Sequence, residues 1–263
     1  MEPQPLVSIV TVVYNAREAL SRTIASVRAQ KAHYARIEYI VVDGSSKDGT
    51  RDLISRNEDV VDRWISEPDK GIYDAMNKGL KMASGDFVWF LNAGDFIYSD
   101  KFLAEVFPTG RTQEETRAGS EDGWADVYYG QTQLVDAEWK PAGMRRLRAP
   151  RKLTPKSFRW GMLVCHQSIL VRRRIAAEYD LRYRCSADYN WVLQALEAAR
   201  GIVYTHRIMA CYLKGGKSRQ MLLLSWKERF RIMCIHFGVP STLWFHALIL
   251  LRAFWPAGRD YTA

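Results

Sequence analysis

Cysteine is scarce and scattered: Cys165, Cys185, Cys211 and Cys234 lie far apart and never form a CxxC pair. A zinc ribbon, a dithiol redox motif and a disulfide framework are therefore disfavoured, and four reduced, mostly buried thiols are expected. Long apolar runs are missing too. The most apolar late stretch, Leu243 to Trp255, carries His246 and Arg252 and is shorter than the ~20 residues a membrane-spanning helix needs. At the N-terminus, Met1-Glu-Pro-Gln-Pro5 leads into a strand without the basic, apolar and small-residue order of a signal peptide, so a cytoplasmic location is expected. Val13-Tyr-Asn-Ala-Arg-Glu18 has no glycine directly after the first strand, where a nucleotidyltransferase would carry a glycine-rich basic loop. Tyr212-Leu-Lys-Gly-Gly-Lys-Ser218 is glycine-rich and basic but lacks P-loop spacing. No nucleic-acid-binding motif is present, and the aromatics fall as core residues instead of alternating with basic ones, so no nucleic-acid partner is expected.

What is present fits a soluble enzyme. The chain of 263 residues is 48% hydrophobic and 25% charged, enough for one substantial core. Its net charge of +9 attracts anions such as nucleotide phosphates and acidic lipids. Residues 6 to 13 and Tyr39 to Val42 are β-branched apolar runs of the kind buried on both faces of a parallel sheet. Between them Leu20, Ile24 and Val27 recur at helical spacing, with Asn15 as the expected cap. Helices and strands continue to alternate through a helix at 71 to 83 and a strand at 87 to 91, which predicts an α/β, doubly wound, mostly parallel sheet. Residues 108 to 123 read as a loop or insertion, 126 to 135 as a strand, 164 to 171 as a strand, 187 to 199 as a helix and 202 to 213 as a strand. Arg145, Arg146, Arg148, Arg151 and Lys152 form a basic loop, either a solvated face or a phosphate contact. After residue 218, Trp226, Phe230, Met233 and Phe237 oppose Lys227, Arg229 and Arg231. The segment 219 to 263 is thus an amphipathic helical pair, suited to a membrane surface or to docking on the domain formed by 1 to 218.

Several groups are suited to chemistry. Tyr14 and Asn15 follow the first strand and Asp43 ends the second, at the same carboxyl edge where open α/β sheets bind ligands. Asp43 can accept from a pyrimidine N–H or a ribose hydroxyl, or can cap the turn before Gly44 and Ser45. Asp74 and Lys78 share a helix face with Asn77 beside them, while Ile72, Met76 and Leu80 are expected against the sheet; an i,i+4 ion pair is the plainer reading. Asp188 in Cys185-Ser-Ala-Asp-Tyr-Asn190 opens a helix, where an acid also favours the helix dipole. His166 and Gln167 are candidates for the acceptor pocket or metal surroundings. Lys217 and Ser218 fit a flap over a phosphate.

The runs Val7-Ser-Ile-Val-Thr-Val-Val-Tyr-Asn15, Tyr39-Ile-Val-Val-Asp-Gly-Ser-Ser46, Asp69-Lys-Gly-Ile-Tyr-Asp74 and Leu91-Asn-Ala-Gly-Asp95 resemble the family 2 inverting glycosyltransferases. With Cys165-His-Gln167 they look most like bacterial transferases of colanic-acid or exopolysaccharide assembly. The resemblance covers residues 6 to 218 and implies a GT-A-like single domain, with a nucleotide-sugar half at about 6 to 98 and an acceptor half at about 124 to 218. It implies a nucleotide-diphosphate sugar donor held by Val13, Tyr14, Asn15, Asp43, Gly44, Ser45, Asp74, Asn77, Lys78, Asn92, Ala93 and Gly94. It further implies Mg²⁺ or Mn²⁺ on Asp95, Asp188 as general base, and a glycan or polyprenyl-linked acceptor at the inner face of the membrane. The chain departs from the family's Asp-x-Asp motif, because Asn92 replaces an acid and Gly94 offers no side chain.

Overall fold

The computed structural model describes residues 4–109, 123–213 and 221–254. Its N-terminal half is a run of βα units: β1 (Val7–Val13), α1 (Arg17–His33), β2 (Ile37–Asp43), α2 (Thr50–Ser55), β3 (Arg63–Ser66), α3 (Ile72–Met82) and β4 (Phe87–Phe90). There follow β5 (Phe96–Ile97), α4 (Phe102–Val106), β6 (Val127–Val135), β7 (Pro141–Met144), β8 (Ile169–Arg172), α5 (Ala187–Ala198) and β9 (Ile202–Leu213). Two helices, α6 (Leu222–Phe237) and α7 (Val239–Phe254), close the described chain.

The strands form one sheet in the order β3-β2-β1-β4-β8-β6-β9-β5, with β7 beside β6. β3, β2, β1 and β4 are mutually parallel, whereas β8 joins β4 and β6 in antiparallel register. Every residue of β1 and β2 is buried, as expected for strands covered on both faces. On one face lie Leu20, Ile24 and Val27 of α1 with Phe102 and Leu103 of α4. The other face holds Met76 and Leu80 of α3, Trp191 and Leu193 of α5, and Ile232 and Met233 of α6. Gly79 lets α3 sit directly on the sheet, since a Cβ there would come within 2.3 Å of Val10 Cγ1. Gly79→Ala is therefore expected to lower stability by about 1–3 kcal/mol, checked by denaturant unfolding.

The reading at residue level needs correction in four places. Ile72 is exposed and Tyr73 takes its buried place, so the α3 face is rotated from the expected one. Asn15 does not cap α1: the cap position is Ala16, and the Arg17 N–H donates to Asp48 Oδ2 instead (3.0 Å). The strand expected from 164 begins only at Ile169, because His166–Ser168 forms a 3₁₀ turn that turns both His166 and Gln167 into the interior. Fourth, the expectation for the C-terminal helices narrows: of the two settings expected, docking on the domain is observed for their inner face. Ile232 and Met233 of α6 belong to the main core, and Trp160 meets Phe245 of α7 edge to face at 4.8 Å. Most of the proposed insertion falls at 110–122, outside the described residues. Among the described residues no helix is long and apolar enough to cross a membrane.

Candidate active site

The carboxyl ends of β1, β2 and β4 deliver three short turns to one edge of the sheet. Two of them are tied together. The Asn15 N–H donates to Ser46 Oγ (2.7 Å), and Asn15 Oδ1 accepts from the Lys47 N–H (2.8 Å). Asn15 and Ser45 both sit at positive φ, +47° and +62°, a conformation that costs energy for residues with a side chain and recurs at binding sites. Tyr14 is left exposed beside them, while Val13 is buried. Gly44 allows the close approach of Asp69, whose Oδ2 would lie 2.4 Å from a Cβ at that position.

Asp43 is completely buried and divided in role. Its Oδ2 accepts from the Ser46 N–H (3.0 Å) and Ser66 Oγ (2.6 Å), so it does cap the turn. Its Oδ1 is buried without a partner among the described residues, which is costly unless a further donor completes it.

The third turn, Asn92-Ala-Gly-Asp95, is pinned by α1. Thr23 Oγ1 accepts from the Gly94 N–H (3.0 Å) and donates to the Asp95 carbonyl (2.8 Å). Gly94, at φ +99°, lies where a Cβ would crowd Trp139, and Ala93, just before it, is half-buried. Asp95 itself is buried, and Gln167 Nε2 donates to its Oδ2 (3.0 Å). Burial pushes its carboxyl up to about 7, against the opposing pull of Gln167 and the backbone amides of Leu213 and Asn92. Nearby in sequence, Asn92 Oδ1 is buried without a partner among the described residues. Of the two places expected for Gln167, the acceptor pocket or the metal surroundings, it thus lies beside Asp95.

Asp188 lies in the first turn of α5 and is partly exposed. Its Oδ1 accepts from Tyr73 Oη (3.1 Å) and from the Tyr189 N–H (2.9 Å), so the helix-start role and a link to α3 coexist. Tyr73 stacks on Tyr179, and Tyr179 on Trp191, at ring separations of 5.5 and 5.3 Å. Phe90, from the end of β4, abuts Tyr179, Trp191 and His166. Burial lowers the pKa of His166, against the opposing pull of Asp188 and Gln167, and no described residue hydrogen-bonds its Nε2. Asp95 and Asp188 share one neighbourhood, because both carboxylates act electrostatically on Tyr212 and Cys165. Arg145, partly buried and donating to the Met162 carbonyl (3.2 Å), acts on the same two groups with opposite sign. Of the basic loop, Arg145 thus reaches the site, whereas Arg146, Arg148, Arg151 and Lys152 are exposed.

The α3 polar face is differently engaged from the expected one. Both ends of the buried Asn77 amide bind the main chain of Tyr179, at 2.9 and 2.7 Å, which ties α3 to the segment before α5 and leaves the amide closed to a sugar. Lys78 Nζ bonds Glu67 (2.8 Å) and the Pro68 carbonyl (2.7 Å), with Asp74 at 3.8 Å, so the local ion pair exists and is extended. Asp74 Oδ2 also accepts from the Lys70 N–H (3.0 Å). Lys217 and Ser218 lie outside the described residues.

Among the described residues no group of three or more His, Cys, Asp or Glu side chains could hold a metal alone. The oxygen donors at this turn nevertheless fit a hard cation shared with a diphosphate, since Mg²⁺ commonly takes only one or two protein carboxylates beside substrate phosphates. A buried carboxylate raised to about 7 is one that an added cation would stabilise in its ionised form.

A parallel first half and a mixed second half, in which β8 runs antiparallel to its neighbours while β6 and β9 pair in parallel, make the fold that of the GT-A glycosyltransferases. The fold agrees with S. aureus TarS 1-349 in complex with UDP-GlcNAc (TM-score 0.66, 15% identity, 95% of this chain and 72% of that one). It also agrees with the mannosyltransferase PcManGT of Pyrobaculum calidifontis in complex with GDP-Man and Mn²⁺ (TM-score 0.59, 14% identity, 96% and 76%). The model of glycosyl transferase family 2 matches residues 8–180, and the chain belongs to that family. An uncharacterised glycosyltransferase of Mycobacterium tuberculosis is 34% identical over 202 residues, 74% of this chain and 70% of its own. A PGL/p-HBAD biosynthesis glycosyltransferase of Mycobacterium bovis is 26% identical over 260 residues, 96% and 91% respectively.

Proposed function

We propose that this glycosyltransferase is inverting and moves a sugar from a nucleoside-diphosphate donor to a hydroxyl of a lipid-linked or polysaccharide acceptor during bacterial surface-glycan assembly. The observation that carries this reading is that Asp95 and Asp188 come close enough to the same two side chains, Cys165 and Tyr212, for both carboxylates to act on them. A protonated sugar hydroxyl is a poor nucleophile, and Asp188, partly exposed and oriented by Tyr73, accepts its proton. Asp43 receives an N–H or hydroxyl of the nucleoside through its unpartnered Oδ1. Asp95 and Asn92 hold Mg²⁺ or Mn²⁺, which when bound neutralises the diphosphate. Arg145 adds a positive charge to the same side. Because a single displacement inverts the sugar carbon, proton NMR of the first-formed product should show the anomeric configuration opposite to that of the donor. Retention of configuration would overturn the reading. Asp43→Ala should weaken nucleoside-diphosphate binding by about 1–3 kcal/mol in calorimetry; unchanged affinity would leave Asp43 a turn cap alone.

The acceptor side of the proposal has a physical basis in the outer face of α6 and α7. Leu223, Trp244 and Leu251 are 89%, 64% and 64% exposed, with Leu222, Ile235 and Leu243 also open and the exposed Lys227 and Arg231 among them. An apolar face with basic residues suits an anionic lipid surface, and the net charge of +9 adds long-range attraction. Peripheral attachment at the inner face of the membrane would bring a lipid-linked acceptor to Asp188. The doubly substituted Leu223→Glu, Trp244→Glu protein should lose sedimentation with anionic vesicles and keep nucleotide binding. Equal sedimentation of both proteins would refute the lipid contact.

A further inference from the structure

The buried glutamate of α6 has no place in the reaction as so far described. Glu228 is only 4% exposed, and its carboxylate receives three consecutive main-chain N–H groups: Arg184 to Oε1 (2.8 Å), and Cys185 and Ser186 to Oε2 (both 2.9 Å). Ser186 is the cap position of α5 and supplies no side-chain cap of its own; its hydroxyl lies against Ser225 Oγ of α6 instead (3.2 Å). Two residues further on is Asp188. A carboxylate from another helix therefore does what a local cap does elsewhere, and charge-assisted bonds of this kind are stronger and more directional than neutral ones. From the other side Asp188 is held by the Tyr73 hydroxyl. The carboxylate is fixed between α3 and a turn that α6 anchors.

We infer that Glu228 is a positioning residue for the transfer step, setting the turn 184–186 so that Asp188 meets the acceptor hydroxyl. This inference rests on Asp188 being the base. Placement of a proton acceptor is sensitive to small displacements, so the effect belongs in kcat and not in donor affinity. Glu228→Gln keeps the size but turns an amide group toward N–H donors. It should lower kcat roughly 10-fold or more while donor Kd and acceptor KM stay within about twofold. Because Glu228 acts through Asp188, the double variant Glu228→Gln, Asp188→Asn should be no slower than Asp188→Asn alone. Wild-type kcat in Glu228→Gln, or a double variant slower than Asp188→Asn by the full factor of the single change, would overturn the inference. Wild-type turnover in Asp188→Asn would instead sink the base assignment itself, whatever Glu228→Gln shows. If Glu228→Gln does not fold, Glu228→Asp keeps the charge on a shorter reach and is measured in the same cycle. There too, wild-type kcat or additivity with Asp188→Asn would refute the positioning role.

Discussion

Asp188→Asn is expected to reduce the transfer rate by roughly 10²-fold or more with donor affinity retained. Asparagine preserves the shape of the side chain and can still accept from Tyr73 Oη and the Tyr189 N–H, the two bonds that hold Oδ1. What disappears is basicity. The substitution leaves the aromatic floor of Tyr73, Tyr179 and Trp191 in place, so unfolding is not expected to account for the loss. Steady-state rates beside calorimetric donor titrations check this. Donor affinity falling together with rate would move Asp188 to the donor site.

Asp95→Asn is expected to abolish turnover and, unusually for a site substitution, to stabilise the cation-free protein above neutral pH. Burial raises the Asp95 carboxyl from its ordinary 3.8 to about 7. The sign follows from linkage: the folded protein binds the proton more tightly than the unfolded chain, so this contribution is fully present below about pH 4 and is lost as pH rises through 7. At pH 8 the ionised carboxylate lowers stability by about 2–4 kcal/mol, a cost that asparagine does not carry. Denaturant unfolding of both proteins at pH 5 and pH 8 without divalent cation measures it. The gap between variant and wild type should widen at pH 8, and a pH-independent gap would show that Asp95 is not held in this way. A strained, charged site that weakens the empty fold is a common companion of function.

Much of this was legible in the chain, for identifiable reasons. The β-branched runs of β1 and β2 announce strands buried on both faces, and the carboxyl edge of a parallel sheet then places Asn15, Asp43 and Asp95 together. Periodicity also located α3 and α5, but it did not fix rotation: Ile72 faces out and Tyr73 in, because the buried face also has to stack on Tyr179. The family resemblance implies Asn77 as a donor contact, but its amide bonds the main chain of Tyr179, a partner too far along the chain for the sequence to reveal. The same distance along the chain hides Glu228 behind the start of α5. Patterning in the described part of 219 to 263 announces α6 and α7, yet it cannot say that the inner face of α6 completes the core while the outer face stays bare.

The central claim is that the strand-edge turns bearing Asp43, Asn92 and Asp95 bind a nucleotide sugar together with a divalent cation. Calorimetric titration of the intact protein with UDP-, GDP- and dTDP-sugars, each with Mg²⁺ or Mn²⁺ and again with chelator, tests it most directly. The account predicts that one nucleotide binds, that cation tightens it in the wild type, and that Asp95→Asn loses the cation dependence. Absence of binding by every nucleotide sugar, or equal cation dependence in Asp95→Asn, would contradict it.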